Sequence, residues 1–256
     1  MSDLEVVALS LTAEYLSIDS EYQLFRTMPT CLSRKIERSV YNRRRRKLFF
    51  FTEYLRRKIV EKLTGGEKYF IVDSMPLEVC KLARAGRCKI CRHNIKTSPD
   101  KGYCASQKMY YFGYKIHAVC SVSGVFANFD ITKASTHDIN YLKNNMQNCI
   151  IIGDKGYLSV DFQLDLFNSS RITLEVPMRK NQKNFIEQPS VFRKTRKRIE
   201  TLFSQLCDQF MIRRNYAKTF DGFKTRILSK LTTLTVMQLI NFMLNKNINN
   251  IKNALV

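Results

Sequence analysis

The sequence predicts a mixed α/β fold, a β-sheet with helices on its faces, preceded by a small all-helical domain. Three observations predict it. Residues 42–63 repeat apolar side chains at helical spacing and stop at Thr64, Gly65 and Gly66. After that break come short runs rich in β-branched residues, the first from Tyr69 to Asp73. A strand, a hairpin and then alternating helices and strands follow, which is the pattern of a mixed sheet flanked by helices.

The elements follow in order. Ser2, Asp3, Leu4 and Glu5 form a capping box, with Leu4, Val7, Ala8 and Leu11 as the apolar stripe behind it. In the helix over 42–63, Leu48, Phe51, Leu55, Ile59 and Leu63 share one face. Residues 1–66 therefore read as the helical domain and 67–256 as the sheet domain. Tyr69 to Asp73 is a buried strand, and the polar, Cys-rich stretch 76–106 reads as an irregular insertion. From Met109 to Val122 the chain alternates, with Tyr110, Phe112, Tyr114, Ile116, Ala118, Cys120 and Val122 on one face. Ser123 and Gly124 turn it back into Val125 to Ile131, a hairpin. A helix capped by Ser135 or Thr136 is expected to run through Asn145. Cys149 to Gly153 is another buried strand, 159–168 a helix, and Ile172 to Val176 a strand stopped by Pro177. A helix over Ser190 to Met211 has Ile199, Leu202, Phe203, Leu206 and Phe210 as its buried stripe. A last amphipathic helix covers 221–245, and an Asn-rich tail follows.

Charge narrows the function. Lys and Arg total 43 against 22 Asp and Glu, a formal net charge of +21. Residues 178–256 hold 16 bases and 4 acids, whereas residues 67–177 hold 14 and 10. So large an excess implies a polyanionic partner. With 45% hydrophobic residues the chain is no disordered basic tail. It has no run of about 18 apolar residues, so no membrane span is expected. Its start lacks the pattern of a secretory signal, so a cytoplasmic location and eight reduced Cys are expected. No Gly-rich phosphate loop is present, which argues against nucleotide hydrolysis. The densest basic runs, Arg34 to Lys47 and Arg179 to Arg198, read as phosphate contacts. They supply Arg43, Arg44, Arg45, Arg46, Arg179, Lys180, Arg193, Arg196 and Lys197. Lys155 reads equally well as a phosphate contact or as part of a Gly turn.

Two acids follow buried strands directly: Asp73 after YFIV and Asp154 after IIIG. An ionised carboxylate at the end of an apolar strand is costly unless something compensates it. The plain alternative is a cap on a neighbouring loop. Glu200 lies in RKRIETLFSQL, one position off the apolar stripe and flanked by bases. Its plain alternative is an i,i+4 pair with Arg196. Three carboxylates from two strand ends and a rim helix can converge on hard divalent ions, which take oxygen ligands. Two such ions can activate a nucleophile and stabilise a leaving oxygen in phosphodiester displacement.

The segments IVDS at 71–74, IIGDKGY at 151–157 and RKRIETLFSQL at 196–206 together resemble the DDE transposases of bacterial insertion sequences. The resemblance extends from about Tyr69 to Met243. It implies a ribonuclease-H-like catalytic core, with Asp73, Asp154 and Glu200 as metal-binding catalytic residues. It implies two Mg²⁺ or Mn²⁺ ions, cleavage of double-stranded DNA at the element's ends, strand transfer into target DNA, and a homodimer in the synaptic complex. The chain departs from related members at two places. Arg193 stands where a Tyr is common, and Cys207 where a Lys is common. Two other readings share these features: a different ribonuclease-H-like endonuclease, and a non-catalytic DNA-binding remnant of a transposable element.

Other candidates weigh less. Asp130 and Asp138 read as structural acids, Asp138 at a helix start. Cys88, Cys91, His93 and Cys104 (or Cys80) have the ligand types of a zinc site. A lone CxxC without a second spaced pair points instead to a thiol-lined loop without metal. Cys31, Cys120, Cys149 and Cys207 sit in apolar patterns and read as core. His117 lies on the less apolar strand face and receives no role.

Overall fold

A computed structural model of the chain describes residues 1–105, 107–144, 146–178, 181 and 185–253. Two compact units form. One joins Met1–Leu63, Gly86–Pro99 and Gln205–Val256, and the other joins Thr64–Ala85 and Asp100–Ser204. The units cut across the expected boundary at residue 66, because the last helix joins the first ones.

The helical unit contains α1 (Asp3–Tyr15), α2 (Glu21–Thr27), α3 (Thr30–Ser33), α4 (Arg38–Lys47), α5 (Phe49–Thr64) and α8 (Phe220–Met243). The capping box of α1 forms: Glu5 N donates to Ser2 Oγ at 3.3 Å and Ser2 N donates to Glu5 Oε2 at 2.5 Å. Its buried residues are Val6, Val7, Ser10, Ala13 and Glu14, while Leu4 is exposed. The stripe is rotated because α1 packs on α8, whose middle is buried on every side from Thr225 to Thr235. That contact is partly polar. Ser10 and Ser229 hydroxyls lie 3.2 Å apart, and Lys230 bonds Glu14 and, at 2.6 Å, the Phe210 carbonyl. The helix expected over 42–63 is two helices broken at Leu48. Arg44 to Lys47 fall in the last turn of α4, where cations favour a C-terminus. On α5 the buried line is Thr52, Arg56 and Val60, with Leu55 and Ile59 half-buried beside it. Arg56 is buried because Glu53 takes two of its donors, at 2.7 and 2.8 Å.

The sheet unit contains β1 (Tyr69–Cys80), β2 (Asp100–Cys104), β3 (Met109–Ser121), β4 (Phe126–Lys133), β5 (Cys149–Ile152), α6 (Val160–Ser170) and β6 (Ile172–Glu175). The strand order is β2–β3–β1–β5–β6, with β4 also on β3. β3 is antiparallel to β1, β2 and β4, and β1, β5 and β6 run parallel. This is a ribonuclease-H-like mixed sheet. β2 pairs with residues 109–113 of β3 and β4 with residues 114–120, so the two share one edge of the same strand.

Two parts of the expected insertion 76–106 are regular. β1 runs on to Cys80, and residues 100–104 form β2. Pro76 hid the first. Among the described residues, β1 beyond Ile71 has only β3 as a partner, the edge setting that a Pro tolerates. A register shift between Glu78 and Cys80 brings that strand close to Gly113, where a Cβ would lie 2.3 Å from the Leu77 carbonyl oxygen. The helix expected from 135 through Asn145 is a 3-10 turn, Asp138–Asn144, and Asn145 lies outside the described residues. Its Asn-rich sequence propagates a helix poorly.

One core cluster fills the space between sheet and α6, with Phe70, Val72, Val119, Ile151, Phe162 and Leu174 among its members. α7 (Ser190–Asp208) buries Ile199, Leu202 and Phe203, and the Phe203 ring packs 5.8 Å from Phe126 of β4. Leu206 and Phe210 are buried too, as the stripe predicts. Cys120 and Cys149 are core, but Cys31 is exposed and Cys207 half-buried. Residue 31 follows Pro29 in a four-residue helix without buried residues.

Candidate active site

The parallel register of β1 and β5 pairs Phe70 with Ile151 and Ile71 with Ile152. Two residues beyond that last pair stand Asp73 and Asp154. Asp154 lies just past the end of β5, whereas Asp73 is not the strand end the sequence suggests, because β1 continues along β3 to Cys80. The Asp73 carboxylate accepts from Ser74 N at 2.8 Å. Asp154 Oδ1 accepts from Gly156 N at 2.8 Å and caps the 3-10 turn Lys155–Tyr157. Each carboxylate thus has one oxygen oriented by a backbone N–H. The second makes no hydrogen bond among the described residues. Burial pushes the Asp73 carboxyl up to about 6. The Ser74 N–H opposes this rise, the Asp154 charge adds to it, Arg196 opposes it and Asp138 adds to it. Two mutually repelling carboxylates with a free oxygen each fit a hard divalent cation.

Glu200 is exposed on α7 and makes no ion pair or hydrogen bond among the described residues, with Arg196 or any other partner. Arg196, one turn earlier on the same face, acts electrostatically on Asp73. The helix face that carries Glu200 therefore belongs to the surroundings of the two Asp. The triad is not closed: among the described residues, no three His, Cys, Asp or Glu side chains gather closely enough to hold a metal ion.

Asp138, which the sequence assigns to structure, borders this site. Its carboxylate lies 2.9 Å from Lys115 Nζ and 3.6 Å from His117 Nδ1. A Cβ added at Gly156 would lie 2.9 Å from Asp154 Oδ1 and 3.9 Å from Asp138 Oδ2, so the two carboxylates flank one glycine. His117 is fully buried, stacks on Tyr141 at 5.3 Å, and lies 2.8 Å from the Thr132 hydroxyl. Burial pushes its imidazole down to about 4 against the pull of Asp138, so it is neutral at pH 7. One signal in the sequence could have found the cluster: Lys115 and His117 share a strand face in an otherwise apolar run. Asp130 is exposed and, among the described residues, accepts only from its neighbour, Ile131 N, at 2.7 Å.

The basic residues separate into two groups. On α4, Arg44 bonds the Met1 carbonyl at 2.7 Å and Asp3 at 2.5 Å. Arg45 is buried, 3.8 Å from Glu21. Both are spent inside the unit. Arg43 and Arg46 instead line a hollow of about 440 Å³ with Lys47, Phe50 and Lys224. Lys155, Arg193 and Lys197 are exposed and Arg196 is half-buried. Arg179 and Lys180 lie outside the described residues. Cys88 and Cys91 are buried in the helical unit, where Cys91 N donates to the Lys218 carbonyl at 2.9 Å. His93 is exposed, and Cys104 packs with Tyr111 and Ala134 in the sheet unit.

Among the described residues, no helix is long and apolar enough to cross a membrane. The family model described as transposase DDE domain matches residues 64–236. Comparison with curated proteins and with solved structures gives no match.

Proposed function

The chain belongs to the transposase DDE-domain family, and from that premise we propose that it cuts DNA at the ends of a bacterial insertion sequence and transfers the freed 3′ ends into target DNA. A transposase acts on DNA, and the basic surfaces suit that partner. The observation that carries the finer reading is the parallel register of β1 and β5, which sets Asp73, within β1, and Asp154, just past the end of β5, each two residues beyond the last pair, Ile71 and Ile152.

Asp73 and Asp154 would hold Mg²⁺ or Mn²⁺ through their free oxygens, with Glu200 of α7 as the third ligand. Bound there, one or two such ions supply Lewis-acid activation of a water or 3′-hydroxyl nucleophile and stabilise the leaving oxygen. The Ser74 and Gly156 N–H groups fix the orientation of the two carboxylates. Arg196 places a positive charge beside Asp73. Lys155, Arg193 and Lys197 present charge to the phosphates on either side of the cut. Arg43, Arg46, Lys47 and Lys224 anchor the duplex on the helical unit, the DNA-binding region of the chain. Pairing of two ends requires two copies in the synaptic complex.

The test is metal-dependent nicking and joining of a duplex bearing the element's ends. Asp73→Asn, Asp154→Asn and Glu200→Gln should each abolish product, a loss of at least about a thousandfold, while DNA binding persists. Wild-type cleavage by any of the three rejects its assignment. Nicking without joining supports an endonuclease instead.

A further inference from the structure

We propose that the hollow beside Asp138 is a nucleotide subsite that takes one nucleotide of a DNA strand, its base stacked on the Tyr103–Tyr110 pair and its phosphate met by Lys101. This rests on the DNA-processing reading above. The hollow has a volume of about 350 Å³, and its walls include Lys101, Tyr103, Tyr110, Lys115, Thr136 and Asp138. That is room for a small ligand, too small for a duplex.

Tyr103 of β2 and Tyr110 of β3 face each other directly across the pair of strands, with ring centroids 4.9 Å apart. Such a cross-strand pair stabilises a hairpin. That role needs little exposed ring, yet Tyr103 is 53% and Tyr110 54% exposed. Nearby Tyr111, Tyr114 and Tyr157 are almost wholly buried. Lys101 Nζ lies 4.3 Å from the centre of the Tyr110 ring and makes no ion pair among the described residues. Exposed aromatic rings beside an ammonium that no carboxylate pairs with are the combination that unpaired nucleic acid meets, through stacking and charge together.

The remaining walls agree with this occupant. Lys115 neutralises Asp138 at 2.9 Å and also donates to the Thr136 carbonyl at 3.1 Å, so Lys101 leaves the hollow net positive. Asp138 also ties it to Asp154, since the two carboxylates flank Gly156. A nucleotide held here is therefore a neighbour of the one being cut, and it must leave its partner base to stack.

The chain contains no Trp, so Tyr103→Trp creates a single fluorescent reporter. Adding twelve-nucleotide single-stranded oligothymidylate should quench its emission to saturation. In anisotropy measurements, Tyr103→Leu with Tyr110→Leu should weaken binding of the same oligonucleotide by roughly 5- to 150-fold, the effect of losing one stacked base. Binding of a matching blunt duplex should change less than about twofold. Tyr103→Phe with Tyr110→Phe keeps the rings and should bind as wild type, which separates stacking from a damaged hairpin. Absent quenching, wild-type binding by the Leu pair, loss of binding by the Phe pair, or equal losses on single strand and duplex would each overturn the subsite. Loss of strand cleavage leaves these binding readouts untouched, so failure of the proposed function and failure of the subsite are separable.

Discussion

Burial pushes the Asp73 carboxyl up to about 6 from an ordinary 3.8, a difference worth roughly 3 kcal/mol at most. The folded chain holds that proton more tightly than the unfolded one. Its stabilising share is complete below pH 4 and lost as pH rises through 6. At pH 7.5 with a chelator present, Asp73→Asn should therefore raise the melting temperature while abolishing cleavage. Adding Mg²⁺ should stabilise the wild type and not the variant, as thermal melts will show. His117 has the opposite sign. Its imidazole is pushed down to about 4 by burial, so its share is full above pH 6.5 and lost as pH falls toward 4. His117→Gln should flatten that acid limb. Among the cations, Arg43→Ala with Arg46→Ala should reduce the salt dependence of DNA binding by about two phosphate contacts. Arg44→Ala should lower stability and leave the salt slope unchanged. The place of Asp154 just past a strand was legible because it follows a buried run, whereas Asp73 follows one too and yet lies within β1, which continues to Cys80. The inequality of Arg43 to Arg46 was not legible, because helical rotation and distant partners such as Asp3 and Glu21 decide it.

At the scale of elements, β1 shows how local composition misleads. Pro76 and the polar residues after it read as loop, yet a strand with one free edge accommodates them. The bulge at Glu78 presses backbone against Gly113. Gly113→Ala places a methyl group 2.3 Å from a carbonyl oxygen, and should cost on the order of 2 kcal/mol or more in a denaturant melt. The hairpin, α6, β6 and the apolar stripe of α7 were legible, since period and turn residues agree there with tertiary packing. The stripes of α1 and α5 were not, because buried Glu14 and Arg56 take core positions that hydrophobicity alone would refuse. They do so with ion-pair partners, Lys230 and Arg226 for Glu14 and Glu53 for Arg56.

For the molecule as a whole, the division into two units follows packing and not chain order. Glu14 and Lys230 are both 1% exposed and stand 216 residues apart in sequence. Burial holds the Lys230 ammonium below its ordinary value, and the Glu14 charge offsets only part of this. Lys230→Met leaves the buried Glu14 with Arg226, 3.7 Å away, as its remaining ion-pair partner among the described residues and should cost about 3 kcal/mol, whereas Glu14→Leu with Lys230→Met should recover part of that loss in thermal melts. This distance also sets a schedule. Translation at about 5–20 residues per second delivers α8 roughly 10–40 s after α1. The first helices share a core of their own, with Val6, Ala13, Leu24, Ile36 and Tyr41, but Glu14 waits that long for Lys230 and Arg226, while the sheet strands are completed before them. A message broken before the codons of α8 would then release a chain whose Glu14 carboxylate has neither of these cations to meet it.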